Sequence, residues 1–345
     1  MRTRFFSAFR GEVLAVKNHG TSDEEAFAMA HEGATLLERY RVSQDRSLLE
    51  MAEQQLQRAL ARDPGFPFAM FTHGVALEYL GNHEGAIDRF TRLAERYPEY
   101  EAEDVVYNLA TSELCTYKPE GYRSAAKRFA ALAERTQSAE MKALAHASLA
   151  TTYSHMLIDA YSSQNAAEIA KYEPLVFQHV DAAQRLAGRA RQDDWRVLEA
   201  RWLSHNATGV AKMYEGLHMA KSLAPATRAL ALFAAADGEF ETALRYSPAN
   251  PDVLSNIGTL WLLRWRVDKQ AESLQRSREV WLNVIVFRPK TDFPLYRLGQ
   301  VERRLGNTAV AADALTRALA CPFREVDDAK IAAELDRAKA GEVSD

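Results

Sequence analysis

Pro64 and Pro98 stand thirty-four residues apart, and the residues before them fall into register. Ala52, Leu56 and Ala59 lead to the first proline; Ala86, Phe90 and Leu93 hold the same positions before the second. A helical pattern repeated at this period buries its apolar stripes between successive helix pairs, because one pair cannot cover its own face. The chain is therefore constrained to an array of antiparallel helix pairs. Such an array implies that something is held, without naming it.

The unit ending at Pro98 is the clearest. Met70, His73, Gly74 and Leu77 form one stripe of a helix starting near Pro67, and Gly81-Asn82 ends it. A second helix carries Ala86, Phe90 and Leu93. Gly74 and Ala86 are small where the two helices must touch. Pro98 lacks an N–H and stops the second helix.

The run Met70-x2-His73-Gly74-x2-Leu77, then Ala86-x3-Phe90, then Pro98, resembles the tetratricopeptide repeat, with His73 in place of the usual leucine. The resemblance recurs in Leu295-x2-Leu298-Gly299 with Ala311-x3-Leu315, and in Leu254-x2-Ile257-Gly258-x2-Trp261. Val106-x2-Leu109-Ala110 with Ala125-x3-Phe129, and His146-x2-Leu149-Ala150-x2-Tyr153, open two more. The resemblance implies an all-α solenoid of about eight helix pairs wound into a right-handed superhelix, closed by a polar helix over 325–340. Between 160 and 250 the register degrades. There the sequence reads as a long helix interrupted at Pro174, a pair at Trp195–Asn206 and Gly209–Leu223, and a pair at Ala226–Ala236 and Glu239–Tyr246. The expected organisation is a leader over 1–21, a repeat block over 22–159, a degenerate segment over 160–250, a second block over 251–322, and a cap with its tail over 323–345.

Composition narrows the function. At 345 residues a single compact core would be unusually large, which favours an array. A net charge of −4 argues against a broad nucleic-acid surface. No apolar run approaches the roughly 18 residues that span a bilayer. Two cysteines far apart, Cys115 and Cys321, read as reduced thiols of a cytoplasmic protein. The arginines and phenylalanines before residue 11 read as a short amphipathic leader or, alternatively, an organelle presequence.

Motifs of chemistry are missing. There is no G-x-x-x-x-G-K-[ST], no His-Glu-x-x-His, no Cys-x-x-Cys and no Gly-x-Ser-x-Gly. His-Glu-Gly-Ala occurs at His31 and again at His83, but His83 reads there as the start of a helix and not as a ligand. Neither a cofactor, a metal nor an enzymatic activity is expected.

Helical rotation assigns the candidate groove. At 100° per residue, Phe68, Phe71, Val75 and Tyr79 point away from the partner helix, toward the side that lines the concave surface in tetratricopeptide arrays. The same rotation gives Tyr107 and Thr111 in the next unit, and Phe293, Tyr296, Gln300, Arg303 and Arg304 in the last. The N-terminal groove is thus expected to be aromatic and the C-terminal end aromatic and basic. Lys and Arg are absent from the groove positions of the units near Phe68 and Tyr107, so a clamp for a chaperone C-terminal carboxylate is not expected there. From Pro251 to Arg317 there are 11 basic and 7 acidic residues, while Glu99, Glu101, Glu103 and Asp104 form an acidic run. Opposed ends suit partner steering or self-association. The expected function is a non-catalytic scaffold that holds a peptide segment or partner protein, acidic where it meets Arg303 and Arg304, with no nucleic acid and no membrane. The alternative is a regulatory sensor subunit that binds a small ligand through the irregular 160–250 stretch and controls a separate effector.

Overall fold

The computed structural model describes residues 20–43, 45–222, 225–322 and 325–343. The leader expected over 1–21 lies, up to residue 19, outside the described residues. Among the described residues there are fifteen helices and no β-sheet. They are α1 (Glu24–Ser43), α2 (Arg46–Arg62), α3 (Pro67–Leu80), α4 (His83–Arg96), α5 (Ala102–Leu114), α6 (Pro119–Arg135), α7 (Ala139–Ser162) and α8 (Ala166–Arg189). Then follow α9 (Trp195–Lys221), α10 (Ala226–Tyr246), α11 (Pro251–Asp268), α12 (Ala271–Phe287), α13 (Asp292–Arg304), α14 (Thr308–Leu319) and α15 (Asp328–Lys339). The fold is an all-α helical repeat, as the thirty-four-residue period requires.

The chain divides into two compact units. One runs to Ala160 and includes Ala167–Ser204; the other comprises Tyr161–Ala166 and the chain from His205 onward. In the first, consecutive helices from α1 to α6 pack in antiparallel pairs, and α1, α3 and α5 lie side by side. In the second, α10 to α15 pack consecutively, with α11, α13 and α15 side by side. The C-terminal helix α15 therefore takes the place of the first helix of a further repeat and covers the face of α13 and α14.

Local signals explain the helix ends. Pro67 fills the first turn of α3, where a missing N–H costs nothing. Gly81 adopts φ 80° to close it. Asn82 then caps α4, its side chain accepting from Gly85 N at 3.0 Å. A Cβ on Gly74 would lie 2.6 Å from the Phe90 ring, so the bare glycine is what lets α3 and α4 approach.

Two stretches that the sequence divides into helix pairs are each one helix. Residues 195–221 form the unbroken α9, and 226–246 the unbroken α10. Gly238, read as a turn between two helices, lies inside α10 with open space around it, whereas Gly209, read as a helix start, and Gly216 serve close packing within α9. Cβ atoms on Gly209 and Gly216 would meet the rings of Phe240 and Phe233 at 2.5 and 2.8 Å. Asn206, read as a helix end, instead accepts a hydrogen bond from Asn256 Nδ2 at 2.9 Å. Pro174 likewise lies inside α8 and does not end it; the break falls earlier, between Ser162 and Ala166.

The two kinds of helical glycine separate in a stability measurement. Gly209→Leu forces its side chain into Phe240 and is expected to cost about 1–3 kcal/mol. Gly238 has open space around its missing Cβ. Gly238→Ala is therefore expected to stabilise by about 0.5–1 kcal/mol through helix propensity alone. Urea unfolding followed by circular dichroism reads both, and equal effects would contradict the packing described.

Candidate functional site

The aromatic row of the first unit is packed. Phe68, Phe71, Val75 and Tyr107 are 5, 7, 6 and 3% exposed. Phe71 meets Phe90 of α4 edge-on at 5.8 Å, so it packs within its own helix pair and does not face away from it. Tyr107 lies 5.7 Å from Phe129 of α6. Tyr79 is half-buried against Tyr40 of α1, at 5.6 Å. Thr111, also half-buried, donates to the Tyr107 carbonyl at 3.0 Å.

Helix α9 brings two charged groups near this row. Its Glu199 is 7% exposed and adds its negative charge to the surroundings of both tyrosines. Burial pushes the Tyr79 phenol up to about 12, and Tyr107 moves in the same direction, again chiefly through burial. Arg196 of α9 reaches Asp104 of α5 at 3.2 Å. Burial nevertheless raises the Asp104 carboxyl, since desolvation outweighs the guanidinium beside it.

The row near the C-terminus is an internal network. Phe293 is half-buried, edge-on to Trp281 at 5.5 Å, with the Arg297 guanidinium 5.0 Å over its ring. Tyr296 is half-buried and accepts from Gln300 Nε2 at 2.8 Å. Arg303 is fully buried; its Nε donates to Glu334 Oε1 at 2.6 Å and its Nη1 to the Glu342 carbonyl at 2.9 Å. Arg304, 8% exposed, donates to the Gln300 carbonyl at 2.8 Å and lies over Trp265. The expectation that Arg303 and Arg304 meet an acidic ligand is corrected here. The acid they meet is Glu334 of α15, the helix that covers them.

The open basic surface lies elsewhere in the first unit. A cleft of ≈ 720 Å³ is walled by Gln57, Leu60 and Ala61 of α2, Met70 and His73 of α3, and Arg89, Arg92, Glu95 and Arg96 of α4, with Pro64 at its rim; three guanidinium groups there face one carboxylate. The three arginines at i, i+3 and i+7 share one helix face. Arg92 and Arg96 are exposed, Arg92 leaning on Asp88 at 2.9 Å. Arg89 is half-buried, and burial lowers the pKa of its guanidinium. Its Nε is buried without a hydrogen-bond partner among the described residues.

His73, the residue in the leucine position, is 4% exposed, with Nε2 3.5 Å from Glu53. Burial, followed by the charge of Arg89, pushes it down to about 4, so it is neutral near pH 7. Sequence reasoning by concave-face rotation missed this cleft. The signals were the spacing of the three arginines and the histidine in a leucine position.

The comparisons agree with the helix-pair geometry. The family model for the tetratricopeptide repeat matches residues 68–100, the span of α3, α4 and the turn after them. Residues 68–100 thus match a tetratricopeptide repeat. Among solved structures, a tetratricopeptide repeat protein from Parabacteroides merdae aligns at 11% identity and TM-score 0.49, over 90% of this chain and 99% of its own. A chain of the APC/C hetero-tetramer Cut9–Hcn1 aligns at 15% identity and TM-score 0.50, over 98% of this chain and 54% of its own. No curated protein matches the sequence. At these identities the tetratricopeptide likeness establishes the fold alone. No helix among the described residues is long and apolar enough to cross a membrane.

Proposed function

We propose that the chain is a non-catalytic interaction scaffold whose first unit holds an acidic segment of a partner protein in the cleft of Arg89, Arg92 and Arg96. The observation that carries this reading is Arg89. Burial has stripped water from part of its guanidinium, and its Nε has no acceptor among the described residues. An incoming carboxylate on the accessible part of the guanidinium offsets the cost of the desolvated charge through a charge-assisted hydrogen bond. Arg92 and Arg96 extend the contact along α4, and Leu60, Ala61 and Met70 offer apolar wall between the charges. In this reading the packed aromatic row from Phe68 to Tyr107 fixes the curvature of the repeats, and contact occurs on the arginine face. Stacked helix pairs suit the role because they present extended surfaces on a continuous core.

The test is a titration with a fluorescent peptide rich in Asp and Glu, beside one in which Ser replaces the acids. Arg89→Ala/Arg92→Ala is expected to weaken binding of the acidic peptide at least tenfold, about 1.4 kcal/mol. The control Arg123→Ala/Lys127→Ala, exposed on α6, is expected to leave it unchanged. Equal affinity of the arginine double variant and the wild type for the acidic peptide defeats the reading.

A further inference from the structure

At the opposite end of α3 from the arginine cleft, three residues of different chemistry converge. Glu78 lies on the last turn of α3, His83 is the first residue of α4, and Cys115 follows the last residue of α5. Glu78 Oε1 is 3.1 Å from His83 Nδ1. One carboxylate oxygen, one imidazole nitrogen and the Cys115 sulfur all lie within 4.8 Å of one another, and all three residues are half-buried. We propose that Glu78, His83 and Cys115 form a zinc-binding site.

The repeat brings them together. The turn at Gly81 reverses the chain, so the end of α3 and the start of α4 face each other. Cys115 sits thirty-four residues after Gly81, where the next repeat has its own turn. A thiol there is delivered beside the preceding turn by the stacking of α5 on α3 and α4.

The donor set suits the ion. Zinc takes sulfur, imidazole nitrogen and carboxylate oxygen at about 2.0–2.3 Å, which sets tetrahedral donor separations of about 3.3–3.7 Å. Glu78 and His83 stand near that separation already. Rotation of the half-buried side chains by about 1 Å closes the remainder. A thiolate and a carboxylate together neutralise the dication. Glu78 Oε2 is held by the Ser112 hydroxyl, a partner behind the ligand that orients it and leaves Oε1 toward the site. On binding, the Cys115 thiol releases its proton to solvent. His83 offers the Nδ1 lone pair and carries its proton on Nε2. Three protein donors leave a fourth position for water or for a group from a partner.

Cobalt(II) is the probe, because a thiolate bound to it gives a ligand-to-metal charge-transfer absorption. The full chain, stripped with a chelator, is titrated with cobalt(II) under reducing conditions, and zinc affinity is then read by competition. The expected result is one equivalent bound with the thiolate band and tetrahedral visible bands, displaced by zinc. Cys115→Ser abolishes the thiolate band, and Cys321→Ser keeps it. His83→Gln and Glu78→Gln each weaken zinc at least tenfold. Far-UV circular dichroism confirms that each variant is helical. If a variant fails to fold, the wild-type spectrum and the Cys321→Ser spectrum still decide. The proposal is overturned by a wild-type complex without the thiolate band, as binding at the adjacent His146 and His179 nitrogens would give. Survival of the band in Cys115→Ser, or its loss in Cys321→Ser, also overturns it.

Discussion

Replacing Glu334 by alanine will lower stability by about 3–5 kcal/mol, the usual consequence of leaving a buried charge without its partner. Arg303 is fully buried, and Glu334, 4% exposed, receives its Nε at 2.6 Å. Arg304 and Arg337 both stand 3.7 Å from the same carboxylate. One acid on α15 thus answers three guanidinium groups, two of them at the covered end of α13. Alanine removes the carboxylate but leaves Arg303 with no route to water short of undocking α15. The double replacement Arg303→Leu/Glu334→Ala removes both charges and is expected to recover most of the loss, since a buried ion pair and a packed apolar pair are close in free energy. Urea unfolding of the two variants beside the wild type makes the comparison. A loss below about 1 kcal/mol for Glu334→Ala means the pair is effectively solvated, as surface pairs are.

That same pair shows why part of the site was illegible in the sequence. Rotation about a helix axis tells which side of α13 a residue faces. It does not tell what the next element lays against that side. Arg303 and Arg304 face away from α14, and α15 returns to cover them. A charged pair near a chain end reads as open in sequence because its partner is thirty residues away. The arginines of α4 pose the reverse case. Their i, i+3, i+7 spacing is visible, but the other walls of the cleft they rim come from α2 and α3, which lie up to about thirty residues earlier.

The fold was more legible because its signals are local. Pro67, Gly81, Asn82 and Pro98 each act on the backbone within a turn of themselves, and α3 and α4 begin and end where they stand. Glycine inside a long helix was the ambiguous sign. At Gly81 it supplies a positive φ, whereas at Gly209 it admits the Phe240 ring. Periodicity alone cannot separate a turn from a close approach, because both remove the side chain. Only the aromatic residue on the facing helix decides, and that residue lies about thirty positions later in the chain.

Acidification will destabilise the first unit between pH 6.5 and about 4, and His73→Leu will remove much of that dependence. The sign follows from proton uptake. Burial pushes native His73 from 6.5 down to about 4. Below pH 6.5 the unfolded chain takes up a proton that the native chain refuses, so the stability present above 6.5 is lost as pH falls toward 4. Each pH unit costs at most about 1.4 kcal/mol per group, or about 2 kcal/mol for His73 at pH 5. Glu53, 3.5 Å from His73, offers a poor counter-charge because burial raises its own carboxyl, while Arg89 repels the imidazolium. His179 is pushed to about 4 as well, first by burial and then by His146, whose Nδ1 is 2.9 Å away. The raised carboxyls of Glu53 and Asp104 act in the opposite sense, gaining in the native state as pH falls. A comparison of variant with parent cancels much of that background. Leucine restores the apolar residue usual in the repeat at a site that is 4% exposed. It is expected to be more stable than the wild type at pH 5, and the advantage should shrink by about 2 kcal/mol at pH 7. Parallel stability–pH curves for the two proteins would mean that protonated His73 finds a partner in the native state, with Glu53 the nearest acid to supply it.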